Sequence, residues 1–159
     1  MRAGVLLLAI LSSTALAAED YCPWLNAATA GGVLGGRVTM VKVTRAPTGD
    51  DASCEFVRDE GSLVVELRIE VETMASPPKG FASYAARCHS PTVPLKAIGN
   101  EVFACTAELD ERHLAEQVIG RVRNRVFLVR ISTNERSLQP GVLRDKARKV
   151  AEQVAGILF

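Results

Sequence analysis

The chain has 159 residues, 48% of them hydrophobic, with 19 Lys and Arg against 18 Asp and Glu. That is one domain's worth of chain with material for a real core, and it has no charge excess to steer it toward nucleic acid or an anionic membrane. One Trp, two Tyr and five Phe are too few for the stacking platforms of single-strand nucleic-acid binders, and carbohydrate stacking is disfavoured on the same ground.

Residues 1–17 read as a cleavable signal peptide. Arg2 supplies a basic start, VLLLAIL (residues 5–11) an apolar middle, and Ala15-Leu16-Ala17 the small residues of a cleavage site. The uncharged stretch over residues 3–18 is interrupted by Ser12, Ser13 and Thr14, and a bilayer span needs about 20 predominantly apolar residues. A lipid anchor at Cys22 is disfavoured because Glu19, Asp20 and Tyr21 precede it, where lipoprotein processing wants small residues. The mature domain is expected over residues 18–159, with charges about balanced and no membrane span.

Cys22, Cys54, Cys88 and Cys105 all fall in that mature part, and an even number of cysteines in an exported chain reads as a disulfide framework. Gaps of 32, 34 and 17 residues are unlike the close pairs of structural zinc sites. Three connectivities are open. The favoured one joins Cys22 to Cys54 and Cys88 to Cys105, since each pair then links a helix to a strand close by in sequence.

In chain order, residues 23–34 read as a first helix with Trp24, Leu25, Ala28 and Leu34 inward, ended by the glycine run 31–36. Strands follow over 38–43 and 53–58, separated by the turn-rich residues 46–51. The clearest element is a strand over 63–73, where Leu63, Val65, Leu67, Ile69 and Val71 alternate with Val64, Glu66, Arg68, Glu70 and Glu72. A second helix opens at Ser76-Pro77, and Phe81, Tyr84, Ala85 and Cys88 recur at i, i+3, i+4 and i+7 on its inner face. After a proline-bearing loop over 89–100 come strands at 102–108, 116–123 and 126–133, the last two joined by a hairpin at Asn124-Arg125. A final helix over 141–158 carries Leu143, Ala147, Val150, Val154 and Ile157 on one side. The order α-βββ-α-βββ-α predicts an α+β fold, an antiparallel sheet with helices packed against it.

Cys22 with Leu25, Leu34 and Gly35, the run Cys54-Glu55-Phe56, the run Ile98-Gly99-Asn100-Glu101-Val102 before a strand, and the terminal helix together resemble small exported bacterial domains of the PsbP-like type, found among actinobacterial secreted proteins and lipoproteins. The resemblance covers nearly all of the mature chain, and its motifs are short and structural. It implies a PsbP-like sandwich used for binding or assembly, with no active site to carry over. Many such proteins keep a lipobox, which this chain lacks, so membrane tethering is not implied.

Catalytic and ligand motifs are weak. The run Gly31-Gly32-Val33-Leu34-Gly35-Gly36 closes a helix, whereas phosphate-cradling loops follow a strand and open one. His89 and His113 are far apart in sequence and in no metal-ligand spacing, although Glu111 and Glu116 lie near His113. A serine nucleophile elbow is missing, and disulfide-bonded cysteines offer no thiolate. Neither a metal nor a cofactor is expected. Two surface features stand out. Arg121, Arg123, Arg125, Arg130 and Arg136 crowd sixteen residues with one acidic residue, Glu135, and Arg121 and Arg123 would share a strand face. They form a candidate partner or anion contact, unless they face Glu66, Glu70 and Glu72 in a cross-strand ladder, the favoured alternative. Pro91, Val93, Pro94 and Leu95 make a stiff loop that could dock a partner or cover one end of the core. The expected function is an exported, non-enzymatic binding or interaction domain whose partner is an unidentified envelope protein or small ligand. A carrier of a small apolar or anionic ligand is the alternative, with an enzyme of unrecognised type a further one.

Overall fold

A computed structural model describes residues 21–47, 49–76, 80–107 and 113–159. The expected signal peptide, the N-terminal start of the second expected helix at Pro77, and Glu111 lie outside the described residues.

The lead-in from Tyr21 buries Trp24 and Leu25 before any helix forms. Helix α1 (Ala27–Leu34) starts where the Asn26 side chain accepts from the Thr29 N–H at 2.8 Å, a normal N-cap. It is therefore shorter than the expected 23–34, and its inward residues are Ala30 and Leu34 while Ala28 is exposed. The glycine run ends it as expected. Gly35 takes a left-handed φ of 81°, which costs a residue without Cβ nothing, and the Gly36 N–H closes on the Gly31 carbonyl at 3.0 Å.

Seven strands follow: β1 (Met40–Arg45), β2 (Ala52–Asp59), β3 (Val64–Thr73), β4 (Val93–Pro94), β5 (Glu101–Thr106), β6 (Leu114–Val122) and β7 (Arg125–Thr133). Helix α2 (Pro140–Leu158) closes the chain, with Pro140 in its first turn. All described strand pairs are antiparallel, in the order β1-β2-β3-β7-β6-β5-β4. The fold is α+β, as expected, with differences inside the loops. β4 lies in the proline loop read as irregular. It pairs Val93 with Ala104 and Pro94 with Phe103 at the sheet edge, where a proline's missing N–H is tolerated.

Between β3 and β4 the described end of the expected helix is a 3₁₀ helix, Ala82–Arg87. Its period of three aligns Phe81, Tyr84 and Arg87. The rings of Phe81 and Tyr84 lie 6.5 Å apart, and the Arg87 guanidinium sits 4.6 Å over the Tyr84 ring. The i+4 and i+7 positions expected to face inward therefore do not: Ala85 is exposed, and Cys88 is already extended, bridging Ala107.

The alternation in β3 decides which face is covered. Val65, Leu67, Ile69 and Val71 are buried, and their cross-strand neighbours Thr133, Ile131, Val129 and Phe127 continue the same face. Helix α2 lays Leu143, Ala147, Val150, Ala151, Val154 and Ala155 on it, and α1 adds Ala30 and Leu34. Ile157, expected inward, is 53% exposed because it lies at the helix end beyond the sheet-facing stripe. A smaller cluster of Met74, Phe81, Ile119, Val126 and Leu128 lies on the other face, with Tyr84 and Phe103 against it.

Disulfides join Cys22 to Cys54 and Cys88 to Cys105, each with Cα atoms 5.7 Å apart, the pairing favoured from the sequence. The first pins the lead-in to β2 in the main core. The second ties the end of the 3₁₀ segment to β5, so it links extended chain to strand and not helix to strand.

Candidate functional site

The register carries one polar row across the face opposite α2. Lys42, Glu55, Arg68, Arg130, Gln117 and Cys105 are successive cross-strand partners on β1, β2, β3, β7, β6 and β5. Two arginines, Arg68 and Arg130, thus stand directly opposite each other. Like charges in that relation are destabilising.

Glu70 is bound to Arg68 at 2.7 Å and to Arg87 at 3.5 Å. Arg130 is half-buried and, among the described residues, donates only to the Gln117 Oε1, at 3.4 and 3.2 Å. Gln117 is fully buried, and its Nε2 donates to the Arg87 carbonyl at 2.8 Å and toward the Cys105 sulfur at 3.4 Å. Burial holds the Arg130 pKa below the usual guanidinium value; Arg68 and Arg87 press the same way, while Glu70 and Glu66 oppose. Burial likewise raises the Glu66 carboxyl above the ordinary glutamate range, with Glu55 adding to the shift and Arg68, Arg130 and His113 opposing it. The Tyr84 hydroxyl donates to Glu72 at 2.7 Å, and burial together with that bond pushes its pKa up to about 12.

The remaining arginines do not join this row. Arg121 lies further along the same face, bound to Glu101 at 2.8 Å. Arg123 does not share its strand. It occupies the β6–β7 turn with φ 54°, because Val122 already pairs with Arg125 and the two turn residues are Arg123 and Asn124. This places the hairpin one residue before the expected Asn124-Arg125, and a positive φ at the first turn position is the sense a tight hairpin favours. Arg125 begins β7, donates to the Asp50 carbonyl at 2.9 Å and lies 3.8 Å from the Asp50 and Asp51 carboxylates. Arg136 follows β7. Adjacency in sequence brings Arg121 only to the Arg123 carbonyl, at 2.7 Å, and the arginines that do gather with Arg130 are Arg68 and Arg87, from other segments.

The proline loop splits similarly. Pro91 is exposed and Val93 is 43% exposed on the edge strand, with Pro94 beside it, whereas Leu95 packs against the main core and donates its N–H to the Val102 carbonyl at 3.1 Å. Leu95 thus has the core assignment that its sequence context hid.

On the α2 side, a cavity of about 180 Å³ is lined by His89, Thr106, His113, Glu116, Pro140 and Leu143. Glu116 is 1% exposed, yet both oxygens are engaged, one by the Thr106 hydroxyl at 2.9 Å and one by Arg144 at 2.8 Å. The two histidines meet here although 24 positions separate them, and no local spacing could have announced it. The space is smaller than the roughly 300–1,000 Å³ of common ligand sites. Among the described residues no three His, Cys, Asp or Glu side chains come together as a metal site, and no described helix is long and apolar enough to cross a membrane. An open apolar cleft of about 480 Å³ runs beside β1, lined by Tyr21, Cys22, Leu25, Val41 and Phe56.

These features define a disulfide-bonded α+β domain with helices over one face of a seven-stranded sheet and a charged row on the other. No family model, curated protein or solved structure matches the chain.

Proposed function

We propose that this chain is an exported, non-catalytic binding domain that presents the β1, β2, β3 and β7 part of the sheet face opposite α2 to a protein partner of the cell envelope. Two disulfides fit an oxidising compartment, and the signal-peptide pattern of residues 1–17 supplies the route. The observation that carries the reading is the row Lys42, Glu55, Arg68 and Arg130, a charged row over four adjacent strands that neither α1 nor α2 covers. A surface of mixed charge, with Glu55 between Lys42 and Arg68 and with Arg130 beyond, suits a protein of complementary pattern, because such fields set register and exclude wrong partners. A carrier function is less well supported: Leu67, Ile69, Val118, Phe127 and Leu143 fill the space between sheet and α2, and the apolar cleft beside β1 is open and has no charged residue in its lining to fix a ligand. The PsbP-like resemblance of the sequence points to the same class, a fold used for binding or assembly.

Site-specific photo-crosslinking in the exporting cell tests this. A crosslinker at Glu55, on the open face, is expected to trap a defined protein species that one at Lys149, on the outer side of α2, does not. Crosslinks from Lys149 alone would overturn the reading.

A further inference from the structure

We infer that the open face contains an oxyanion site, built from Arg68, Arg87 and Arg130, that accepts a carboxylate, phosphate or sulfate group from the bound partner. This rests on the reading of that face as the binding surface and names the chemistry it recognises.

Three observations converge. First, Arg68 and Arg130 are direct cross-strand partners, an arrangement that costs stability unless something negative lies between them. Second, the internal carboxylates act on Arg130 through space, with no direct ion pair to it among the described residues. Glu70 is engaged by Arg68 and Arg87; Glu66, diagonal to Arg130, makes no ion pair with it within 4 Å among the described residues. Arg130 is left with one neutral acceptor at long distance, although a guanidinium has five N–H donors. Third, the group is held in place. The Gln117 oxygen orients Arg130 while its amide nitrogen is tied to the Arg87 carbonyl and to the Cys88–Cys105 bridge. The disulfide thereby fixes the position of Arg87 relative to Arg130. An oxyanion seated between the three side chains would receive charge-assisted, paired hydrogen bonds, the geometry for which arginine is suited, and would relieve the Arg68–Arg130 repulsion.

The charged groups facing the site are Glu66, Glu70 and Arg68 from β3, Glu55 from β2, and Arg87 from the 3₁₀ segment, with His113 beside Glu66 and Gln117 of β6 as the neutral neighbour. Loss of charge on Glu66 at low pH makes the site more positive, so binding of sulfate, which keeps its own charge, should tighten as pH falls through the raised Glu66 pKa.

The test is an NMR titration of the arginine Nε–Hε signals of the mature, disulfide-intact protein with phosphate, sulfate and acetate in separate arms. Signals of Arg68, Arg87 and Arg130 should move together and saturate, and the arm with the tightest saturation names the group. Arg130→Gln should weaken that binding about tenfold, equivalent to about 1.4 kcal/mol, while Arg121→Gln leaves it unchanged because Arg121 is already paired with Glu101. Should Arg130→Gln fail to fold, Arg68→Gln carries the same expectation. Shifts of similar size at Arg121 and Arg123, or none at Arg130, overturn the site. Glu55 crosslinks that persist in Arg130→Gln and are not competed by any of the three anions would reject the oxyanion site while leaving the open-face reading intact; saturable anion binding without open-face crosslinks would do the reverse.

Discussion

Gly120 on β6 stands opposite Phe127 on β7, in the row that also holds Val71 and Val102. A Cβ added at Gly120 would lie 2.2, 2.7 and 2.9 Å from three atoms of the Phe127 ring, all closer than carbon atoms approach without repulsion. The ring is fully buried in the main core, so it cannot swing into solvent and must displace its neighbours. Overpacking of this kind costs about 1–3 kcal/mol. Replacing a strand glycine by alanine regains about 0.5–1 kcal/mol of backbone entropy. Gly120→Ala is therefore expected to destabilise by about 1–2 kcal/mol, lowering Tm by roughly 4 °C in a domain of this size. Urea unfolding with the disulfides intact, followed by fluorescence of the single buried Trp24, reads the change as a shifted midpoint at constant slope. Phe127→Leu makes room for the new methyl at a cost of its own, on the order of 1–2 kcal/mol. The double variant should lose less than the sum of the singles by at least about 0.5 kcal/mol. A neutral or stabilising Gly120→Ala, or strict additivity, would refute the contact.

The buried pair at Glu116 gives a second, asymmetric test. Arg144→Ala strands an almost fully buried carboxylate, which keeps only its Thr106 bond among the described residues, and is expected to cost about 1–3 kcal/mol. Glu116→Gln costs less, since an amide can still accept from Arg144 and bond to Thr106; equal losses in urea titrations of the two would contradict the geometry. For Glu66, the raised folded pKa means the native state binds a proton that the unfolded chain has released, so this group lowers stability at neutral pH and the penalty fades as pH falls through that pKa. Glu66→Gln should consequently be more stable than wild type at pH 7, with the gap closing in acid; a pH-independent difference counts against the assignment. Tyr84, with its pKa at about 12, lowers stability progressively from about pH 10 upward, where the unfolded chain ionises first. Ultraviolet titration should find a phenol ionising near 12 that disappears in Tyr84→Phe.

How much of this was legible depended on whether the signal was local. The period of two in β3 and the small and apolar residues of α2 needed only their own segments, and the structure bears both out at nearly every position. The 3₁₀ segment misled because Phe81 and Tyr84 satisfy both a 3.0 and a 3.6 period; only Ala85 and Cys88 distinguish them, and small residues carry little periodic weight. β4 was hidden because Pro94 is a strand breaker everywhere except an edge, and whether a strand is an edge is a property of the whole sheet. The arginines show the same limit. Arg121, Arg123 and Arg125 are neighbours in sequence, yet a turn and the pleat send them in different directions, while the group around Arg130 is assembled from β3, β7 and the 3₁₀ segment by register alone.

That register also explains why the two bridges are not interchangeable. Cys22–Cys54 lies in the α1–α2 core, where many fully buried apolar side chains already hold the lead-in to β2. Cys88–Cys105 lies on the thinner side, where, among the described residues, a smaller buried cluster of Met74, Phe81, Ile119, Val126 and Leu128 forms. Chain-entropy reasoning ranks the bridges by loop length, giving slightly more to the 32-residue separation than to the 17-residue one. Position ranks them the other way for function. Replacing Cys88 and Cys105 with serine should leave the α2-side core and its Trp24 signal native, because none of its contacts passes through that bridge. The same change should release the 3₁₀ segment, detach the Arg87 carbonyl from Gln117 and broaden the Arg87 and Arg130 Nε–Hε signals. If those signals stay sharp and unshifted in the serine variant, the bridge does not organise the open face.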